Sequence, residues 1–131
     1  MPFTRIALPA GTSAEFQQRL STILQQTLVA EFDVPEDDCF QLLDEHAPAQ
    51  RVFDRHYLGG PRSASFIWFS ITAGRPRSTL QKQRFYQRLA ERLCDELAVR
   101  PQDVMVTLTF TRPEDWSFAN GEMFNGVPEA T

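Results

Sequence analysis

The sequence predicts an α/β fold made of two β-α-β units within a single domain of 131 residues. Strand-like and helix-like segments follow one another in the order strand, helix, strand, and this order then repeats. The two halves also match at a constant offset of 65 positions, as between Ser13 and Ser78. The expected repeat units are residues 2–45 and 65–111, and residues 112–131 are expected to form an irregular tail.

The first unit opens with a short strand and continues into an amphipathic helix. Residues 2–8 alternate in polarity, and Pro9-Ala10-Gly11 then favours a turn. Thr12-Ser13-Ala14-Glu15 fits a capping box, a pattern that marks helix starts. An apolar side chain recurs every four residues from Phe16 to Phe32, which gives this helix one apolar face.

A loop, a second strand and a long connection complete the first half. The loop covers residues 34–38, because the residue before Pro35 is pushed out of helical geometry, and residues 39–45 follow as a strand. Residues 46–64 contain two glycines and two prolines, which indicates a long loop with room for a small hairpin. Ser65–Thr72 is the strongest strand and is apolar on both faces, as is typical of a central strand.

The second unit repeats this order. After a turn at residues 73–77, Ser78 is the predicted cap of a helix that runs to about Ala98, and alternating apolar residues from Val104 to Phe110 predict the fourth strand. Two such units form one four-stranded sheet with parallel strands inside each unit and both helices on one face. The opposite face must be covered, and a homo-oligomer is the economical way to cover it.

Composition and charge exclude several functions. The net charge of −4 argues against nucleic acid as the main partner, and no apolar run is long enough to predict a membrane span. The amino-terminal segment lacks the pattern of a secretory signal, and two cysteines make neither a disulfide framework nor a metal-ligand set. We therefore expect a cytoplasmic protein that needs no metal and no cofactor.

Pro2 is the first candidate for chemistry. If Met1 is removed, the Pro2 nitrogen becomes a secondary amine at the chain terminus. An α-amino group titrates at about 7.7–8.0 in peptides, so it can serve as a base, an acid or a nucleophile near neutral pH. The same dipeptide also starts many proteins in which it means only that methionine is lost.

Charged and aromatic residues elsewhere are further candidates. Arg75 and Arg77 lie where a strand runs into a helix, and paired guanidiniums there suit a carboxylate, although an exposed polar loop is the alternative. Asp38 closes the first helix-to-strand loop, where acids usually form turns. Trp116 and Phe118 either line a small pocket or fasten the tail to the body.

Four motifs in register resemble the tautomerase superfamily, and most of all its malonate semialdehyde decarboxylase branch. The resemblance runs from Pro2 to about Gly121, and it does not include a clear counterpart for residues 46–64. The motifs are Pro2 after Met1, Val34-Pro35 leading to Asp38, Arg75-Pro76-Arg77-Ser78, and Asp115-Trp116-Ser117-Phe118.

The resemblance implies a β-α-β-β-α-β homotrimer that acts on a small carboxylate substrate. Pro2 is then the catalytic amine, and Arg75 and Arg77 bind the carboxylate and polarise the carbonyl of a 3-oxo acid. Asp38 supports the proline or a water molecule, while Trp116 and Phe118 form an apolar wall. Cations stabilise the enolate charge that develops when CO₂ leaves, and a dry wall strengthens them.

Three functions stay open on the sequence alone. The first is a decarboxylase with tautomerase or hydratase side activity, and the second is a phenylpyruvate-type enol–keto tautomerase. The third is a trimeric interaction protein without catalysis. Retention of Met1 rules out the first two, because the Pro2 nitrogen is then an amide with no available lone pair.

Overall fold

Four strands and two long helices follow one another in the order β-α-β-β-α-β. The computed structural model describes residues 2–126, so Met1 and residues 127–131 lie outside the described part. The elements are β1 (Pro2–Pro9), α1 (Ala14–Phe32), β2 (Gln41–His46), β3 (Ile67–Ala73), α2 (Thr79–Leu97) and β4 (Val104–Phe110), with single 3₁₀ turns at Pro48–Gln50, Pro101–Asp103 and Pro113–Asp115. Neither long helix in this part of the chain could cross a membrane.

The strands form one mixed sheet in the order β2-β1-β3-β4. β1 pairs with β2 and β3 pairs with β4 in parallel, while β1 and β3 run antiparallel in the centre. This arrangement confirms the predicted fold class of two pseudo-symmetric β-α-β units. The two long helices each have 19 residues and begin 65 positions apart, as the repeat predicts.

Both helices cover the same face of the sheet. Alternate residues of the two central strands face inward and pack against the apolar faces of α1 and α2. The largest fully buried side chains are Phe32, Phe69, Phe85, Ile6, Leu8, Leu20, Leu24, Leu28, Ile67, Ile71, Leu89 and Leu93. On the other face, Leu42 and Trp68 keep 46% and 39% of their surface exposed. β3 is a central strand, as predicted, and its outer face is partly exposed in the single chain.

The predicted start of β2 is wrong by two residues. β2 begins at Gln41 rather than at residue 39, because the backbone N–H groups of Asp38 and Cys39 are bound in a turn by the carbonyls of Pro35 and Asp37. Helix α1 is capped by Ser13, whose hydroxyl accepts from the Phe16 N–H.

The first residue of the expected capping box has another role. Thr12 donates its hydroxyl to the Pro9 carbonyl at 2.6 Å instead of capping α1.

The long connection from β2 to β3 holds no hairpin. In this loop, Arg62 is only 7% exposed and donates to three backbone carbonyls, those of Asp54, Tyr57 and Leu58. This buried guanidinium orders the loop without strand pairing.

Candidate active site

The sheet pairing brings distant parts of the chain to the end where β1 begins. Pro2 is buried and lies opposite Ala73, the last residue of β3, because the two strands are antiparallel. Arg75 follows Ala73 by two residues. On the other side, Thr4 pairs with Gln41 and its N–H donates to the Phe40 carbonyl at 3.0 Å. This parallel register places the residues before β2 beside Pro2.

Asp38 lies in the segment that leads into β2. Continued back from Gln41, the parallel register sets Cys39 opposite Pro2 and puts Asp38 one residue further out. Asp38 is half-buried, whereas Asp37 is exposed. Of the two neighbouring acids, Asp38 is thus the less exposed one.

The two guanidiniums meet at the end of α1. Arg77 is buried and donates to the Phe32 carbonyl from both Nε (3.3 Å) and Nη2 (2.9 Å). Arg75 is exposed and donates to the same oxygen from Nη2 at 3.2 Å. Helix α1 leaves this carbonyl without an intrahelical partner, and cations at a helix carboxyl end are stabilising.

This arrangement leaves the cations incompletely compensated. Three N–H groups share one neutral oxygen, which has only two lone pairs, and Nη1 of Arg77 donates to a second neutral acceptor, the Arg75 carbonyl, at 2.5 Å. Burial and then the neighbouring charge of Arg75 lower the pKa of Arg77, and the Asp33 carboxylate partly opposes this shift. An incoming carboxylate would relieve the repulsion between Arg75 and Arg77, so their contacts favour anion binding at this point.

The aromatic tail residues are fixed to the same corner of the sheet. The indole N–H of Trp116 donates to the Thr111 hydroxyl at 2.5 Å, and that hydroxyl donates to the Ala73 carbonyl at 3.1 Å. Phe118 stacks on Trp116 with ring centroids 5.2 Å apart and packs edge-on against Phe124. Ala73 pairs with Pro2 on its other side, so the aromatic stack is attached at the same end of the sheet as the proline, with β3 between them.

The sequence did not indicate two residues that hold parts of the candidate site in place. Thr111 follows β4 and joins Trp116 to the sheet, but a single threonine at a strand end carries no signal. Gln25 of α1 donates its side-chain amide to the Asp38 carbonyl at 3.1 Å. Its position on the helix gives no hint of this contact, which depends on how the loop packs against α1.

Three known proteins show what this chain is similar to. The probable tautomerase YusQ of Bacillus subtilis (strain 168) is 38% identical over 121 residues, covering 92% of this chain and 95% of YusQ. The structure of malonate semialdehyde decarboxylase is 30% identical with a TM-score of 0.83, and the match covers 92% of each chain. Fused 4-OT, described as a symmetric trimer, is 19% identical with a TM-score of 0.75 over 92% and 94% of the chains, and so shares the fold alone.

These similarities, together with the fold, define a class of protein: the chain is an enzyme of the tautomerase superfamily. Within that class, the sequence model of the family described as Tautomerase enzyme matches residues 38–119. The chain belongs to this family. The matched segment includes Asp38, both arginines and the aromatic pair, while Pro2 precedes it.

Proposed function

We propose that the protein uses Pro2 as an amino-terminal amine to transform small oxo carboxylic acids, with malonate semialdehyde decarboxylation as the leading reaction. The observation that carries this proposal is the convergence of a buried proline, two undercompensated guanidiniums and an acid at one end of the sheet. It requires removal of Met1, which lies outside the described residues.

The proposed substrate lies between the cations and the aromatic stack. Arg75 binds the carboxylate, because its side chain is exposed and makes a single long contact that an anion can replace. Arg77 keeps its contacts with the Phe32 carbonyl. It contributes its positive charge and an unused N–H group to the bound substrate from its buried position. Trp116 and Phe118 exclude water on the open side.

These groups, with water as the source of the proton, are sufficient for decarboxylation. The bond between C2 and the carboxylate breaks, CO₂ leaves, and the electron pair moves onto the 3-oxo oxygen as an enolate. The Pro2 ammonium then gives its proton to C2 and regains one from water, so that acetaldehyde is the product. Asp38 orients the amine or the water molecule that reprotonates it.

A phenylpyruvate-type tautomerase is the second candidate, and the name of the relative YusQ favours it. Here the neutral Pro2 amine removes the enol proton and returns a proton to carbon, so nothing is lost from the substrate. Product analysis separates the two functions, since one releases CO₂ and the other releases only the keto form. The pH profiles have opposite signs, because decarboxylation needs the ammonium and tautomerisation needs the free amine.

We also propose that the protein is a homotrimer. The sheet face away from the helices exposes Leu42 and Trp68, and large apolar side chains on such a face are typical of an interface. The proposal agrees with the trimer described for fused 4-OT. Light scattering on the eluting protein gives the number of subunits, and a monomer would contradict it.

The test of the proposed function replaces the proline at each end of β1. Pro2→Ala is expected to lower kcat/KM for malonate semialdehyde by at least tenfold, about 1.4 kcal/mol, whereas Pro9→Ala at the far end leaves it unchanged. Intact mass of the purified protein establishes beforehand that Met1 is absent. Equal rates for the wild type and Pro2→Ala would remove Pro2 from the mechanism.

A further inference from the structure

Helix α1 is fastened at two points, one turn apart, to the start of β2 and to the segment that precedes it. Ser21 donates its hydroxyl to Gln41 at 2.6 Å, and the Gln41 amide donates back to the Ser21 carbonyl at 3.4 Å. One turn later, the Gln25 amide nitrogen donates to the carbonyls of Glu36 at 3.4 Å and Asp38 at 3.1 Å. Only the second attachment reaches the residue that is proposed to act beside Pro2.

The Gln25 contact fixes the backbone of the acid. The Asp38 N–H donates to the Pro35 carbonyl at 2.9 Å, and its C=O accepts from Gln25, so both backbone polar groups of this residue are bound. Two residues later, the Phe40 carbonyl accepts from the Thr4 N–H. The loop is therefore held against α1 on one side and β1 on the other, which fixes the backbone that carries the Asp38 carboxylate.

The second β-α-β unit shows that the fold does not require this amide. At the 65-residue offset, the counterpart of Gln25 is Ala90, which has no polar side chain. The counterpart of Asp38 is Asp103, and this residue is 3% exposed and bound through its own carboxylate by the N–H and hydroxyl of Ser63. An equivalent loop thus forms without a helix amide.

A second observation points the same way. The side-chain oxygen of Gln25 is buried and has no hydrogen-bond partner within residues 2–126. A buried acceptor without a partner costs free energy, so the Gln25 oxygen destabilises the folded protein. The stabilising contribution of the Gln25 amide therefore comes from its two N–H contacts with the loop.

We propose that Gln25 is a positioning residue that holds Asp38 in the geometry needed for its action on Pro2. The inference rests on the proposed function of Asp38. Gln25 touches no reacting atom, so it should act on turnover rather than on carboxylate binding, which belongs to Arg75.

The experiment compares Gln25→Met with Ser21→Ala, which removes the other attachment, and with Asp38→Asn. For Gln25→Met we expect a kcat about tenfold lower, a KM within about twofold of the wild type, and a pH profile displaced in the same direction as in Asp38→Asn. Ser21→Ala should leave kcat and the pH profile unchanged. The double variant Gln25→Met/Asp38→Asn should be no slower than Asp38→Asn, because both changes act through one group.

Different failures have different meanings. If Asp38→Asn lowers kcat but Gln25→Met behaves like Ser21→Ala, the positioning role of Gln25 is wrong and the proposed function stands. The same conclusion follows if the losses in kcat from the two single variants multiply in the double variant. If Asp38→Asn turns over normally, the proposed role of Asp38 fails and the inference falls with it. Should Gln25→Met fold poorly, Gln25→Glu repeats the test, since an ionised carboxylate keeps the shape but has no N–H.

Discussion

The two ends of the sheet are related by the internal repeat but differ in chemistry. At the end where β1 begins lie Pro2 and, after β3, Arg75. At the opposite end their counterparts at the 65-residue offset are Ile67 and Ala10. A cavity of about 400 Å³ lies at this second end, and Ile67 and Asp103 line it. Arg100 also lines this cavity, so the far end has a single arginine there, whereas the Pro2 end has the proline and the paired guanidiniums of Arg75 and Arg77.

The difference lies in how the polar groups are satisfied. At the far end, Asp103 is fully engaged by Ser63, and Thr12 donates to its own turn. At the Pro2 end, two guanidiniums share the Phe32 carbonyl and Arg77 also donates to the Arg75 carbonyl, so both cations are bound by neutral oxygens. Groups with complete partners stabilise a fold, whereas groups that lack full compensation gain from a ligand. Substitutions at the two ends should therefore separate stability from activity.

The largest expected effect is on activity at the Pro2 end. Arg75→Ala should lower kcat/KM for a small oxo acid by about a hundredfold, about 2.7 kcal/mol, because a charge-assisted contact to the carboxylate is lost. Arg100→Ala is the matched control, since Arg100 lines the far cavity. Steady-state kinetics measure both variants, and an equal loss of kcat/KM in the two would contradict the special role of Arg75.

The next effect contrasts the two loop acids. Asp103→Ala should lower the free energy of unfolding by about 2 kcal/mol, because it leaves the N–H of Ser63 without its buried acceptor. Asp38→Ala should lower kcat with a much smaller change in stability. Urea unfolding of both variants measures the first quantity, and an unchanged midpoint for Asp103→Ala would show that the far end is not the structural one.

A third contrast divides the two arginines. Arg77→Met should destabilise the protein by about 1–2 kcal/mol, because the buried end of α1 loses two of the three N–H groups on the Phe32 carbonyl. Arg75→Ala should change stability by less than about 0.5 kcal/mol, since its side chain is exposed. Thermal unfolding in the absence of substrate distinguishes the two, and equal shifts would contradict this division.

The smallest effect is a gain in stability. Thr4 is 1% exposed, and its hydroxyl has no hydrogen-bond partner in the described part of the chain. Thr4→Val removes this buried hydroxyl at nearly constant volume and should raise the free energy of unfolding by about 1 kcal/mol. A lower melting temperature for the variant would mean that the hydroxyl is satisfied.

The sequence predicted the elements well because their signals are local. The four-residue apolar spacing of α1, the cap at Ser78 and the 65-residue offset are all readable along the chain. The strand ends were less accurate, because the turn at Asp37 and Cys39 depends on hydrogen bonds that composition does not reveal. Local patterns indicate what forms, and tertiary contacts decide where it stops.

The site was predictable only in part. The repeat aligns Pro2 with Ile67, and nothing in that alignment places Pro2 beside the segment that carries Arg75. The antiparallel pairing of β1 and β3 does so, and the family motif anticipated the result without its geometry. The contacts of Gln25 and Thr111 arise from packing between elements, so no spacing in the sequence could have revealed them.

The central claim is that a free Pro2 amine stands beside a carboxylate-binding arginine, and site-specific labelling tests it most directly. The protein is treated with an electrophilic propiolate, and the modified residue is located by peptide mass mapping. We expect one adduct on Pro2, with labelling much slower in Arg75→Ala and unchanged in Arg100→Ala. A retained Met1, or an adduct on Pro2 whose rate does not depend on Arg75, would contradict the account.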